Sequence, residues 1–210
     1  VATDSLTEES TQNVPDASLP GETPIIHYKI IENGGEKLEE LQIFDEEFAK
    51  LQKETNQFID KKSDLLNKNI LVIEDYNTTG LTGDFTKKES DFHGLFKRFG
   101  QSGKEKRVKT LGSRGIGIRS AILRNTDLKS FFAYSKRAQD ASEVMGGLYL
   151  ANQEKEGEHP FYYFLTEEEG NLNREAITDG NLLSAFKKSF GIRIINEKLK
   201  DTSGTAILIP

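Results

Sequence analysis

A succession of short apolar runs, each about the length of a β-strand, constrains the fold of this chain most. The runs are rich in β-branched and aromatic residues and lie at 25–31, 69–75, 129–135, 146–151, 161–165, 192–196 and 205–209. The last five follow one another with one helical pattern among them. An early helical region followed by mostly consecutive strands predicts an α+β sandwich with a largely antiparallel sheet.

Helical patterns are fewer than strand patterns. Between residues 36 and 67, apolar residues recur at spacings of three, four and seven, which predicts an amphipathic helix with a break near residues 55 and 56. Shorter helices are predicted at 118–125 and at 182–190, the latter ended by Gly191. The first 24 residues are polar and carry three of the five prolines, so composition alone predicts a flexible tail.

The composition excludes several classes of protein. A length of 210 residues suits one domain, and the absence of Cys removes disulfides, thiolate nucleophiles and Cys-ligated metals. The three His residues lack the spacing of metal ligands. No run approaches ~18 apolar residues and no signal peptide opens the chain, so we expect a cytoplasmic protein without membrane contact. The net charge of −6 argues against nucleic-acid binding by the body of the protein.

A glycine-rich motif precedes the predicted helix at 118–125. Gly112, Gly115 and Gly117 permit close approach of the backbone, and the first amides of a following helix can bind a phosphate. The motif lacks the Gly-Lys-Ser/Thr of a Walker loop. Taken alone, it fits a phosphate cradle and an ordinary loop equally well.

A carboxylate ends the second predicted strand. Asp75 follows an apolar run and precedes a loop that contains Gly80 and Gly83. Such a carboxylate can accept a hydrogen bond from the exocyclic amine of adenine, and nearby glycines let a flat base lie against the backbone. The alternative is that Glu74 and Asp75 begin a solvated turn.

Three polar residues in the N-terminal segment share one face if that segment is helical. Glu9 and Asn13 are four residues apart, and Asp16 follows three residues later. A carboxylate and a carboxamide together can hold a magnesium ion and orient an attacking water. The alternative is a polar tail, and Pro15 is expected to kink or end the helix just after Asn13.

A fourth motif, Gly204-Thr205, opens the last strand. In order, the four motifs resemble those of the GHKL superfamily, which comprises gyrase-type topoisomerases, heat-shock chaperones of the ninety-kilodalton class, histidine kinases and MutL. The resemblance spans residues 9–209. It implies the Bergerat fold, a two-layer α/β sandwich with a mixed, largely antiparallel sheet and helices on one face. The resemblance is strongest to prokaryotic MORC and MutL-like ATP-binding proteins. Two segments carry it, IEDYNTTGLTGD and GSRGIGIRSAI.

The resemblance also implies roles for residues of the N-terminal motif. Glu9 corresponds to the general base that activates water in the ATPase branches. Asn13 corresponds to the magnesium ligand, and Asp16 matches a later acidic position of the same helix. The nucleotide would be ATP, with magnesium as its cofactor.

Further residues correspond to the nucleotide-binding motifs. Asp75 corresponds to the aspartate that reads adenine, with Gly80 beside it, and Thr205 to the threonine that helps to bind the base. Asn77 stands where the first glycine of the loop is usual, and Asn tolerates left-handed backbone geometry. The amides that meet the phosphates would belong to Gly112, Gly115 and Gly117.

Two segments complete the comparison with the GHKL module, for which a single domain over residues 1–210 is expected. Residues 85–111, which are rich in Lys and Arg, occupy the position of the ATP lid and would give a local positive field in an acidic protein. Residues 36–67 are interpreted as a helical insertion.

The expected function is ATP binding with magnesium-dependent hydrolysis. The module would be the N-terminal ATPase domain of a larger protein. The alternative is a nucleotide-dependent switch with little or no hydrolysis. A histidine-kinase catalytic domain is less favoured, because no phosphoacceptor helix pair precedes the module. The resemblance also allows a homodimer that closes on the nucleotide, and a client that is either DNA or protein.

Overall fold

Five helices and six strands make up the described part of the chain. The computed structural model describes residues 2–41, 62–84, 87, 90–96, 122, 126, 128, 130–150, 161–164, 176–193, 198–199 and 202–210. In chain order the elements are α1 (Ala2–Asp16), β1 (Ile25–Ile31), α2 (Gly34–Glu40), α3 (Lys62–Leu66), β2 (Ile70–Tyr76), α4 (Asp91–Phe96), β3 (Ser130–Lys136), β4 (Glu143–Leu150), β5 (Phe161–Phe164), α5 (Gly180–Phe190) and β6 (Gly204–Ile209).

The strands form one sheet in the order β1-β2-β6-β3-β4-β5. Every neighbouring pair in this sheet is antiparallel, so within the described strands the sheet is antiparallel throughout and not mixed. The last strand, β6, lies between β2 and β3, which brings the C-terminal motif beside the end of β2. Helices together with an antiparallel sheet confirm the α+β class.

The central strands separate two hydrophobic cores, one on each face of the sheet. Val72 and Leu208 are paired and belong to the core that α2, α3 and α5 cover. Their chain neighbours Ile73 and Ile207 are also paired and face the core that α1 and α4 cover. The expectation of helices on one face is therefore wrong. Because these strands are apolar on both faces, each face needs a cover.

The polar N-terminal segment is the helix α1, so the flexible tail predicted from composition is wrong. Leu6, Ser10 and Val14, spaced four apart, form a buried stripe on it. Tertiary packing of this stripe against the sheet outweighs the polar composition. The helix also continues through Pro15 to Asp16, past the end expected after Asn13. Pro15 lies in the last turn, where the chain changes to i to i+3 hydrogen bonds.

Six of the predicted strands are present with bounds shifted by three residues at most. Helices α2 and α3 lie at the two ends of the predicted helical segment 36–67, but α2 ends at Glu40, inside that segment. Residues 42–61, with the break predicted near 55 and 56, are outside the described part. The strand predicted at 192–196 is wrong at residues 192 and 193, which lie in a turn, and its remaining residues are outside the described part. In the helix predicted at 118–125, Ile122 is helical and the others are outside the described part.

Helix α5 follows the sequence signals closely. The side chain of Asp179 accepts a hydrogen bond from the backbone N–H of Leu182 at 2.8 Å and so caps the first turn. Gly191 ends the helix with φ of 58°, as predicted. Asn33, with φ of 50°, lies in the left-handed region just before α2, and Gly34 and Gly35 begin that helix.

Candidate functional site

A cavity of about 280 Å³ lies between α1, the ends of β2 and β6, and the loop after β2. Five of the residues that the sequence indicates as a nucleotide site line this cavity. They are Asn13, Asp16, Asp75, Gly80 and Thr205. Residues from both ends of the chain are therefore brought to one place.

Backbone hydrogen bonds fasten the end of α1 to the loop after β2. The N–H of Thr79 donates to the carbonyl of Ala17 at 2.8 Å, and the N–H of Leu19 donates to the carbonyl of Asn77 at 3.0 Å. An isolated antiparallel bridge joins Ser18 to Thr78. This connection places the face of α1 that carries Asn13 against the end of β2.

The carboxylate of Asp75 is held through one of its oxygens. Oδ1 accepts a hydrogen bond from the hydroxyl of Thr78 and another from the backbone N–H of Thr205, the latter at 2.9 Å. Within the described residues no donor reaches Oδ2. Because Asp75 also lines the cavity, Oδ2 is the oxygen that can accept from a ligand.

Burial raises the pKa of Asp75 above its ordinary value, because the charged form loses its hydration. The guanidinium of Arg193 opposes this shift by its charge, and the hydrogen bonds from Thr78 and Thr205 oppose it further. A raised pKa in a cavity is a feature of functional sites.

The loop after β2 has the backbone geometry that its sequence predicts. Asn77 has φ of 59°, so this residue adopts the left-handed conformation that Asn tolerates. Gly80 has φ of 67°, and a Cβ there would lie 2.5 Å from the carbonyl oxygen of Lys136. The close approach of this loop to β3 therefore requires glycine at position 80.

Asn13 presents the oxygen of its amide as a potential ligand atom. Its Nδ2 donates to the backbone carbonyl of Glu9 at 2.7 Å, which fixes the orientation of the amide. Glu9 lies one turn earlier on α1, and its side chain is half-buried but does not line the cavity. The structure thus brings Asn13, Asp16 and Asp75 into one cavity and leaves Glu9 at its border.

The remaining predicted site residues fall largely outside the described part. Gly112, Gly115 and Gly117 are all outside it, as is most of the segment 85–111. Within that segment, residues 91–96 form α4, and Lys87 lies 3.7 Å from Asp84 as an exposed pair. The glycine box and the lid stay predictions.

The walls of the cavity combine apolar side chains with polar ones. Ile73, Ile207 and Val14 contribute apolar surface, and Leu81 and Leu95 extend it. A flat heterocycle fits between such walls, and a carboxylate oxygen at one end suits an exocyclic amine. No cluster of three or more His, Cys, Asp or Glu is present in the part of the chain that the structure describes. A magnesium ion would accordingly need phosphate oxygens beside the amide oxygen of Asn13.

A buried polar cluster lies on the opposite face of β2, behind Asp75. Glu74 is fully buried and accepts hydrogen bonds from the Lys29 ammonium at 2.7 Å, the Tyr76 hydroxyl at 2.7 Å and the Arg193 backbone N–H at 2.9 Å. Burial alone would raise the pKa of Glu74, but these hydrogen bonds, led by that from Lys29, outweigh burial and hold it below its ordinary value. The Arg193 guanidinium stacks over the Tyr76 ring at 4.5 Å and donates to the backbone carbonyl of Asp75.

Sequence reasoning missed three residues that support Asp75. Thr78 and Arg193 contact it directly, and the hydroxyl of Ser203 donates to the backbone carbonyl of Thr78. Thr78 lies in the loop after β2 that contains Gly80 and Gly83, so the sequence could have indicated its hydroxyl. Nothing in the sequence indicated Arg193, because its left-handed φ of 66° and its burial depend on packing after α5.

No protein-family model, curated protein or solved structure matches this chain. Among the helices that the structure describes, none is long and apolar enough to cross a membrane. The case for a function therefore depends on the geometry of the cavity and on the motifs themselves.

Proposed function

We propose that this chain binds an adenine nucleotide in the cavity between α1 and the end of β2, and that it hydrolyses ATP in the presence of magnesium. The observation that carries the proposal is the Asp75 carboxylate, whose Oδ1 is held by Thr78 and Thr205 while Oδ2 is left for a ligand. An ionised carboxylate oxygen accepts a hydrogen bond from the adenine amine and rejects a carbonyl at the same position.

The surroundings of Asp75 support a purine base. Ile73 and Ile207 provide apolar surface, and Thr205 lines the same cavity and would offer its hydroxyl to the base. The volume of about 280 Å³ is close to the lower end of small-molecule sites, which suits a base with its sugar. In this proposal the phosphates extend from the cavity toward Asn13, in keeping with the order of the GHKL-like motifs along the chain.

The position of Asn13 supports a magnesium-bound nucleotide. Asn13 lines the same cavity as Asp75, and Mg²⁺ is usually held by one or two protein oxygens together with substrate phosphates. Magnesium would neutralise charge on the phosphates, and basic groups of the chain would add to this. Glu9, one helical turn before Asn13, is proposed as the general base that orients water.

A calorimetric titration with ATP and magnesium tests the proposal. We expect saturable binding by the full chain, and release of phosphate that depends on Glu9. If the chain binds no ATP under these conditions, the proposed function is wrong.

The second candidate is a nucleotide-dependent switch that binds ATP with little hydrolysis. The observation that favours it is that the Glu9 side chain does not line the cavity, whereas Asn13 and Asp16 do. Phosphate release measured beside affinity separates the two candidates. Binding without turnover supports the switch, and turnover that is lost in Glu9→Ala supports the ATPase.

A further inference from the structure

Ser135 lies on β3, behind the cavity rather than in its wall. Its side chain is completely buried. Its Oγ accepts a hydrogen bond from the backbone N–H of Leu81 at 2.8 Å and donates to the backbone carbonyl of Gly204 at 3.2 Å. The hydroxyl of Thr205 lies 3.4 Å from the same oxygen. One buried hydroxyl thus contacts both the loop after β2 and the start of β6.

The hydrogen-bonding capacity of this hydroxyl is fully used within the protein. A serine hydroxyl has one proton and two acceptor lone pairs. The proton goes to the Gly204 carbonyl, one lone pair accepts from Leu81, and the other faces the Thr205 hydroxyl. Leu81 and Thr205 both line the cavity. The Ser135 hydroxyl therefore fixes two separate parts of the cavity wall relative to each other.

The packing of the loop against β3 points to the same role. A Cβ at Gly80 would lie 2.9 Å from the Ser135 Oγ, so the loop reaches Ser135 only because position 80 is glycine. Such close contact leaves no room for water between the loop and β3. The hydrogen bond between Leu81 and Ser135 is accordingly shielded from solvent competition.

We propose that Ser135 is a positioning residue of the adenine pocket, which sets the distance between the Leu81 wall and the Thr205 hydroxyl without touching the ligand. The inference rests on the proposed function. Without the hydroxyl, the Leu81 N–H and the Gly204 carbonyl lose a buried partner, and both segments relax. The base would then lose a well-placed Thr205 hydroxyl as well as a fixed wall.

A double-mutant cycle with Ser135→Ala and Thr205→Val tests the inference, with the ATP dissociation constant measured by calorimetry. We expect each single variant to bind ATP about tenfold more weakly, and the double variant also about tenfold rather than a hundredfold, because both changes disable one unit. Ser130→Ala is the matched control, since Ser130 is an equally buried serine at the other end of β3 whose hydroxyl has no hydrogen-bond partner among the residues that the structure describes. This control should change the dissociation constant less than twofold. Additive losses in the double variant overturn the inference.

Amide hydrogen exchange in the absence of nucleotide gives a second, independent readout. We expect the Leu81 amide to exchange at least about tenfold faster in Ser135→Ala than in the wild type, and at the wild-type rate in Ser130→Ala. If the wild type binds no ATP, the proposed function fails, and an unchanged Leu81 rate separately overturns the role of Ser135. If Ser135→Ala does not fold, Ser135→Cys takes its place, because a thiol is a weak donor and acceptor of similar size. It should accelerate Leu81 exchange by a smaller factor.

Discussion

Replacement of Asp75 by Asn changes the cavity by one group and reverses its hydrogen-bonding character. The Asn oxygen can still accept from the Thr78 hydroxyl and the Thr205 N–H, as Oδ1 of Asp75 does. The amide NH₂ then takes the place of Oδ2. A donor faces the ligand where the wild type offers an acceptor.

The expected loss follows from the single hydrogen bond between Oδ2 and the adenine amine. A hydrogen bond to a charged group is worth roughly 1.5–3 kcal/mol, and each 1.4 kcal/mol is tenfold in affinity. Asp75→Asn should therefore weaken ATP binding by about 10- to 100-fold. The fold should be retained, because a neutral amide does not carry the cost of burying a charge that raises the pKa of Asp75.

The assay is a calorimetric comparison of ATP with inosine triphosphate, which carries a carbonyl in place of the amine. The wild type should prefer ATP, and Asp75→Asn should prefer inosine triphosphate, because its NH₂ can donate to that carbonyl. Glu8→Gln serves as the control for charge, since Glu8 is exposed on α1. A folded Asp75→Asn variant that still prefers ATP would refute the assignment of Asp75 as the residue that reads the base.

Three further predictions concern catalysis, pH and packing. Glu9→Ala should keep ATP affinity and lose roughly 10²- to 10⁴-fold in phosphate release, with Glu8→Ala unchanged; equal turnover in the two variants would exclude Glu9 as the base. Because protonation of Asp75 removes the charged acceptor and burial raises its pKa, ATP affinity should fall on acidification at a higher pH than that at which an ordinary Asp titrates; a flat profile in a pH titration of affinity contradicts this. Gly35→Ala should destabilise the fold by several kcal/mol in urea unfolding, because its Cβ would lie 1.8 Å from a backbone carbonyl oxygen of α3. Gly180→Ala, with nothing within 4 Å of its Cβ, should be neutral or stabilise by about 0.5–1 kcal/mol.

Local sequence signals predicted most strands of the sheet correctly. The run at 25–31 became β1 with unchanged bounds, because its β-branched and aromatic residues have no competing helical periodicity. Helix α5 ends at Gly191, as predicted, because a glycine in the left-handed conformation stops a helix through local backbone geometry. The strand predicted at 192–196 is wrong at residues 192 and 193, since Arg193 makes its contacts with Glu74 and Tyr76 through the tertiary structure.

Part of the candidate site could be predicted from the sequence, because several of its residues lie in short motifs. Asn13, Asp75 and Thr205 are each ambiguous alone, and only their order along the chain leads to the prediction of a nucleotide site. The roles of Ser135 and Arg193 could not be predicted from the sequence, because neither residue belongs to a motif. Each side chain donates a hydrogen bond to a backbone carbonyl that is distant in the chain, Gly204 for Ser135 and Asp75 for Arg193. Such contacts leave no local pattern in the sequence.

The sequence by itself determined most of the strands, the glycine that ends α5 and the residue types of the cavity, because these depend on backbone preferences and on side chains close in the chain. The tertiary structure decided that the polar N-terminal segment is a helix, since Leu6 and Val14 gain their burial only against the sheet. It also decided that helices cover both faces. Finally, placing β6 between β2 and β3 set Thr205 against Asp75, across 130 residues of chain, through a pairing that only the whole sheet specifies.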